Sequence, residues 1–194
     1  MKALLVLKGP SATKAEEVRQ ELQPEILAVV NDAGFLLGPH TMIDYCFFTH
    51  FTRVGADEPK RLPLEVSKRI TTYVSPKLAL PDSRNQWITI EGHKWYTYND
   101  HSCSCEPGAV HERIIAGGIV HHHTASGALH WLCKYRSLRT IHVLGMDGGD
   151  RTAYAPGLHG AKTATDGLLD EFKRANQIII PILQRVYGVE IKAL

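Results

Sequence analysis

An apolar run near the amino terminus reads Ala3-Leu4-Leu5-Val6-Leu7-Lys8 and is followed directly by the turn Gly9-Pro10-Ser11. The run contains no polar alternation, which is typical of a parallel strand that is buried on both faces. A polar stretch over residues 12–22 follows and favours a helix. The sequence therefore predicts a strand, a tight turn and a helix, the opening unit of an α/β sheet.

The same kind of unit recurs along the chain. Two further apolar runs, over residues 26–30 and 43–48, end in Asn31-Asp32 and Thr49-His50. Residues 123–138 have a helical pattern that leads into the strand-like run over residues 140–147. Strands that alternate with helices predict an α/β domain with a mainly parallel sheet flanked by helices.

The carboxyl-terminal part of the chain has the clearest helical periodicity. Apolar residues recur at i, i+3/i+4 and i+7 from Leu168 to Val186. Pro181 lies inside this pattern, and we expect it to kink or split the helix because it has no N–H group and crowds the preceding turn. Gly188 then allows a final short strand over residues 189–192.

Residues 76–107 interrupt the alternation. Residues 87–90 and 94–98 flank Glu91-Gly92-His93, which predicts a β-hairpin. This hairpin insertion either folds over the ligand edge of the sheet or packs at the edge as an ordinary hairpin. The length of the chain favours one α/β domain over residues 1–194, with the insertion at residues 76–107.

Composition excludes several classes of protein. The chain has 22 Lys and Arg residues against 20 Asp and Glu residues, a formal charge of +2, so no basic excess indicates a nucleic-acid partner. Its apolar runs are far shorter than the roughly 20 residues that span a bilayer, and no signal-peptide cleavage site is visible. We expect a cytoplasmic protein without a membrane span.

Two groups of residues could suggest a metal. His101, Cys103, Cys105 and His111 could form a small N₂S₂ set, but their spacing is not that of structural zinc sites. Adjacent residues such as His121 to His123 cannot all face one ion from a strand. The sequence therefore predicts no resident metal, and a core or phosphate-facing role for one histidine of the triplet, with His123 nearest the expected phosphate helix.

A ligand of an open α/β sheet binds beyond the carboxyl ends of its strands. Small or polar residues follow those ends at residues 9–11, 31–32, 49–50 and 147–149. Residues 124–127 add a hydroxyl-rich helix start, where backbone N–H groups favour a phosphate. The Gly9 turn matches neither the dinucleotide fingerprint nor the Walker A loop, so both generic motifs are excluded. A nucleotide site of another kind is indicated.

The order of these motifs resembles the bacterial sialyltransferases and their Rossmann-like relatives, which include the 6-hydroxymethylpterin diphosphokinase-like proteins. It consists of a strand ending in Gly-Pro-Ser, a strand ending in Asn, a helix opened by Thr-x-Ser-Gly, and the strand Ile-His-Val-Leu-Gly-Met-Asp. The resemblance spans most of the chain. It implies a single Rossmann-like domain and a nucleotide-sugar-dependent glycosyltransferase, of the inverting type with a histidine base.

The resemblance also implies roles for particular residues. His159 would be the base, and Tyr154 a hydroxyl donor to the leaving phosphate. The nucleotide-binding positions implied are Gly9, Pro10, Ser11, Asn31, Thr124, Ser126 and Gly127. Lys8 departs from the family pattern, which has another glycine there, and would either contact a phosphate or point to solvent.

Two alternatives stay open. One is an ATP-dependent diphosphokinase-like phosphoryl transfer, in which Asp147 would hold Mg²⁺ and Asp32 and Asp150 are further acidic candidates. The other is a non-catalytic nucleotide-binding module. Under the glycosyltransferase hypothesis the donor is a nucleotide-activated sugar, no cofactor is required, and the acceptor could be a glycan, a small molecule or modified DNA. The aromatic hairpin would suit a homodimer contact.

Overall fold

The computed structural model of the chain describes residues 1–48, 64–76, 86–90, 93–98, 100–102, 106–146, 155, 158 and 166–194. Its strands are β1 (Lys2–Val6), β2 (Ile26–Val30), β3 (Ile43–Phe47), β4 (Ile70–Pro76), β5 (Gln86–Ile90), β6 (His93–Tyr98), β7 (Asp100–Ser102), β8 (Ile119–His121), β9 (Thr140–Leu144) and β10 (Glu190–Ala193). Its α-helices are α1 (Ala15–Leu22), α2 (Leu64–Ser67), α3 (Pro107–Ile115), α4 (Thr124–Tyr135) and α5 (Asp166–Tyr187), and 3-10 helices cover Pro10–Lys14 and Asn31–Leu36.

The main sheet, within the described residues, has eight strands in the order β10-β9-β1-β2-β3-β4-β6-β5. All neighbouring strands pair in parallel except β5 and β6, which are antiparallel. Strands β7 and β8 pair in parallel as a separate small sheet. The predicted α/β fold with a mainly parallel sheet flanked by helices is confirmed.

Each face of the main sheet carries its own hydrophobic core. On one face, β1 residues such as Leu5 pack with α4 and α5, including Leu132 and Leu183. On the other face, Leu4 and Val6 pack with the first 3-10 helix and α1. Alternate residues of one strand therefore serve opposite cores, which is why β1 has no polar position in its buried part.

The predicted hairpin is present, and it lies at the edge of the sheet. Ile90 of β5 pairs with His93 of β6. Strand β6 pairs in parallel with β4. Of the two placements that the sequence left open, the structure therefore shows the hairpin extending the sheet rather than covering it.

Helix α5 continues through Pro181 without the split that the sequence suggested, over 22 residues. Buried side chains on one stripe occur on both sides of the proline, at Ala175, Ile179, Ile182 and Leu183. Packing of this stripe against the core stabilises the helix on either side of the missing N–H group. The final strand is present as predicted, and β10 pairs in parallel with β9.

Candidate nucleotide site at the carboxyl edge of the sheet

The strand order places a crevice between β1 and β9. These strands are neighbours, but the helices that follow them pack on opposite faces of the sheet. After β1, α1 packs through Ala15 in the core that contains Val6. After β9, α5 packs through Ile179 in the core that contains Leu5. Such a reversal of direction is the topological switch point at which open α/β sheets bind ligands.

Two turns meet at this crevice. The Gly9 backbone N–H donates to the Gly145 carbonyl at 3.0 Å. In return, the Ser11 hydroxyl oxygen accepts from the Gly145 N–H at 3.0 Å. The predicted residues Gly9 and Ser11 are therefore held directly beside the end of β9. Contact of either residue with a ligand stays a prediction.

Gly145 is the residue at this junction that the sequence did not single out. Its φ is +81°, and a Cβ atom placed there would lie 3.0 Å from the Gly9 nitrogen and 3.0 Å from the Leu7 carbonyl carbon. Only glycine accepts this backbone and this close approach without strain. The signal available beforehand was a glycine directly after an apolar strand. Pro10 occupies the first position of the 3-10 helix that follows Gly9, where a missing N–H group is harmless.

Asn31 follows β2 at the same edge of the sheet. Its backbone is left-handed with φ +53°, a conformation that asparagine tolerates better than most residues. The Cys46 thiol donates to the Asn31 carbonyl oxygen at 3.4 Å. The side-chain oxygen Oδ1 is buried and has no hydrogen-bond partner in the described part of the chain. A buried acceptor without a partner costs free energy, which a donor group from a ligand would recover.

An ion pair joins the ends of β1 and β2. The Lys8 ammonium group lies 2.8 Å from Asp32 Oδ1, and the two side chains are only 12% and 13% exposed. The sequence left two orientations open for Lys8, toward a phosphate or toward solvent. The ion pair shows that its side chain does not extend freely into solvent. Asp32 was an alternative magnesium candidate; its carboxylate is paired with this lysine, and magnesium binding there stays a prediction.

Helix α4 points its amino terminus toward this edge of the sheet. Trp131 packs against Tyr45 and Phe47 of β3, with ring centroids 5.0 and 5.6 Å apart. One turn later, the Arg136 guanidinium lies 4.8 Å from the Tyr45 ring centre. Since the helix passes from Phe47 toward Tyr45 as its own numbering rises, it runs antiparallel to β3. Its first residues, beginning with Thr124, thus face the carboxyl edge.

The first turn of α4 is capped from within. His123 is the N-cap, and its Nδ1 accepts from the Ser126 N–H at 3.3 Å. The Ser126 hydroxyl accepts from the His122 and His123 N–H groups and donates to the His123 carbonyl. The Gly127 N–H donates to the same carbonyl at 3.1 Å. Ser126 and Gly127 thus have structural partners, whereas the N–H groups of Thr124 and Ala125 are the first-turn donors without an acceptor inside the helix.

The most deeply buried histidine among the described residues, His130, is not at this edge. The Nδ1 atom of His130 accepts from the Val120 N–H at 2.7 Å, and Nε2 lies 2.9 Å from the Tyr187 hydroxyl. Because Nδ1 accepts, the proton of the neutral ring is on Nε2. Burial lowers the pKa of His130 to about 3, so it is neutral at physiological pH. Sequence analysis did not identify this residue, which links α4 to β8 and α5.

An open groove of about 900 Å³ lies at the opposite, amino edge, beside the starts of β2 and β3. Glu16 on its wall accepts from Arg19 at 2.6 Å and from the Gly38 N–H at 2.8 Å. The hydrogen bond from Arg19, with those from Gly38, Gln20 and Thr41, lowers the pKa of Glu16 to about 2. Glu16 thus anchors the loop before β3 and is remote from the crevice.

Three predicted site residues, Asp147, Tyr154 and His159, lie outside the described residues. So do Asp150, Thr49, His50 and the two cysteines of the metal hypothesis, Cys103 and Cys105. Among the described residues, no group of three or more His, Cys, Asp or Glu side chains could hold a metal ion. No helix in the described ranges is long and apolar enough to cross a membrane.

No protein-family model, curated protein or solved structure matches the chain. The resemblance that rests on the order of the motifs therefore stays a prediction.

Proposed function

We propose that the protein is a nucleotide-sugar-dependent glycosyltransferase that binds the nucleotide part of its donor in the crevice between β1 and β9. The observation that carries this proposal is the direct pairing of the Gly9 and Gly145 turns at the switch point of the sheet. The N–H groups of Gly9 and Gly145 are used in this pairing, which fixes the two turns, and the lack of side chains lets a ligand approach the backbone closely. A nucleotide is the common ligand of such a crevice.

Further residues around the crevice suit the parts of a nucleotide. The buried Oδ1 atom of Asn31 can accept from a hydroxyl group of the ribose or an amino group of the base. The amino terminus of α4 favours an anion through its free N–H groups and its dipole. These features support the nucleotide-binding part of the proposal, and the transfer of a sugar rests on the resemblance.

The chemistry proposed is displacement at the anomeric carbon of the sugar. The bond from this carbon to the phosphate oxygen breaks as the carbon becomes oxocarbenium-like. The acceptor oxygen forms the new bond to the carbon, and a general base takes the proton of the acceptor hydroxyl. The resemblance assigns the base to His159 and a donor to the leaving phosphate to Tyr154. Fixed donors of the protein would stabilise the leaving phosphate.

Incubation with a panel of nucleotide sugars, and separately with ATP and Mg²⁺, tests the proposal. Chromatography measures the release of nucleoside mono- or diphosphate. We expect release from a nucleotide sugar, and we expect EDTA to leave its rate unchanged. Turnover that occurs only with ATP and is lost in EDTA would instead indicate diphosphokinase-like transfer through Asp147. Nucleotide binding with no turnover would indicate a non-catalytic module.

The base assignment has a variant of its own. His159→Ala should lower turnover by about 10²–10⁴-fold and leave nucleotide affinity nearly unchanged. The matched control is His111→Ala, since His111 is exposed on α3. Near-normal turnover in His159→Ala would exclude this residue as the base.

A further inference from the structure

Lys8 contacts the segments that follow β9 and β2, the two strands on either side of β1. Its carbonyl oxygen accepts from the Ala155 N–H at 2.6 Å, after β9. Its ammonium group reaches Asp32 after β2 at 2.8 Å. The next residue, Gly9, is the one that pairs with Gly145 across the switch point. Lys8 is thus fixed at the end of β1, with its backbone tied to the chain after β9 and its side chain tied to the chain after β2.

The surroundings of the ion pair argue against a purely stabilising role. Both side chains are nearly buried, at 12% and 13% exposed. Removing two charges from water costs free energy that their attraction often fails to recover, so such pairs are weak devices for stability. An ammonium group has three N–H donors, so it can hold a carboxylate and a phosphate oxygen at the same time.

We propose that Lys8 binds a phosphate group of the nucleotide and that Asp32 is the residue that positions its ammonium group. This inference rests on the proposed nucleotide site and adds the charge that the phosphate meets there. Lysine acts as a compact point charge toward phosphate. A fixed ammonium group of the protein would supply the positive charge that the phosphate needs. The carboxylate of Asp32 would hold that ammonium group in place.

The test compares each nucleoside with its own 5′-monophosphate. Titration calorimetry on the full chain uses cytidine and CMP, uridine and UMP, and adenosine and AMP. The measured quantity is the phosphate preference, the ratio of the dissociation constants of nucleoside and monophosphate. The wild-type protein is expected to bind at least one monophosphate tenfold or more tightly than its nucleoside, about the effect of one hydrogen bond to a charged group.

Three variants isolate the contribution of the lysine. Lys8→Met combined with Asp32→Asn removes both charges, so the net charge is unchanged and no buried charge is left unpaired. We expect it to fold, to bind the nucleoside as the wild type does, and to lose the phosphate preference by about tenfold. Asp32→Asn alone keeps Lys8 and should retain the larger part of the preference. Lys8→Met alone gives a second measurement of the same loss.

A matched control removes an ion pair elsewhere. Lys192 and Glu190 on β10 lie 3.0 Å apart and are about half exposed. Lys192→Met combined with Glu190→Gln should leave the phosphate preference unchanged.

Each remaining outcome overturns a different statement. A wild-type preference in the Lys8→Met, Asp32→Asn protein would show that Lys8 does not hold the phosphate, while the proposed nucleotide site would stand. An equal loss in Asp32→Asn alone would overturn the statement that Lys8 keeps most of the phosphate preference without its partner, since a carboxylate does not itself bind a phosphate. A wild-type protein that binds no nucleotide at millimolar concentration would remove both the proposed function and this inference.

Discussion

The Ser11 hydroxyl oxygen accepts a hydrogen bond from the backbone N–H of Gly145, a residue 134 positions later in the chain. Gly145 is buried at the end of β9, so its N–H group has no ready access to water. This contact joins the two turns that form the crevice. It makes the turn after β1 dependent on a residue from the other half of the sheet.

Removal of the Ser11 hydroxyl should destabilise the protein. In Ser11→Ala the buried Gly145 N–H loses its acceptor, and we expect the free energy of unfolding to fall by about 1–3 kcal/mol in urea denaturation. Thr13→Ala is the control, because Thr13 Oγ1 donates to the Pro10 carbonyl in an exposed position. Its effect should stay within about 0.5 kcal/mol. Equal losses in the two variants would contradict a structural role for the Ser11 contact.

A methyl group at Gly145 should have a larger effect than the same change at Gly188. Both residues have positive φ, +81° and +63°, so alanine is strained at each by roughly 1–2 kcal/mol. At Gly145 the new Cβ would also approach backbone atoms at 3.0 Å, whereas at Gly188 nothing lies within 4 Å. Thermal unfolding should show a clearly lower Tm for Gly145→Ala. Similar Tm values would mean that the two turns can separate easily.

The buried His130 should make stability depend on pH. Its pKa is about 3 in the folded protein, below the usual 6.5, because burial disfavours the charged ring. Between these values the unfolded chain binds the extra proton, so stability should fall as pH is lowered from about 6.5 toward 3. The limiting slope for one proton is about 1.4 kcal/mol per pH unit.

His130→Asn tests this dependence by denaturation at several pH values from 4.5 to 6.5. The variant should show a shallower slope than the wild type, and part of the slope should persist because burial also lowers the pKa of His142. The control is His40→Asn, at an exposed position. An unchanged slope in His130→Asn would mean that another group titrates in this range.

Asn31 can be tested without disturbing the fold. Asn31→Gly removes the side chain and keeps a residue that adopts φ +53° readily, so stability should change by no more than about 1 kcal/mol. Nucleotide affinity should fall about tenfold, as expected for the loss of one hydrogen bond from a ligand. Gln23→Gly, at another left-handed position with φ +43°, is the control. It lies next to the amino edge and should leave the affinity unchanged.

Local patterns in the sequence were sufficient to predict the main elements of the fold. The apolar runs that became β1, β2, β3 and β9 are continuous because a parallel strand covered by helices on both faces has no exposed side. The stripe on α5 and the pattern of α4 follow from helical spacing. The short elements α2, β7 and β8 were not predicted, because three or four residues carry too little periodicity, and the longer β4 and α3 were not predicted either.

The candidate site was predicted in part by the same kind of reasoning. Gly9, Ser11 and Asn31 follow apolar runs, and residues that follow parallel strands share one edge of the sheet. The hydrogen bonds and ion pairs within the site could not be predicted in this way. Ser11 with Gly145 and Lys8 with Asp32 depend on which strands are neighbours, and no local pattern states this order.

The sequence by itself determined the segments of β1, β2, β3, β9, α4 and α5 and the turns that follow those strands, because burial and periodicity are local properties of the chain. Only the tertiary structure decided that β9 lies beside β1, that the hairpin extends the sheet at β4, and that Lys8 meets Asp32. The physical reason is that strand order and buried ion pairs depend on the packing of whole cores, to which residues from distant parts of the chain contribute together.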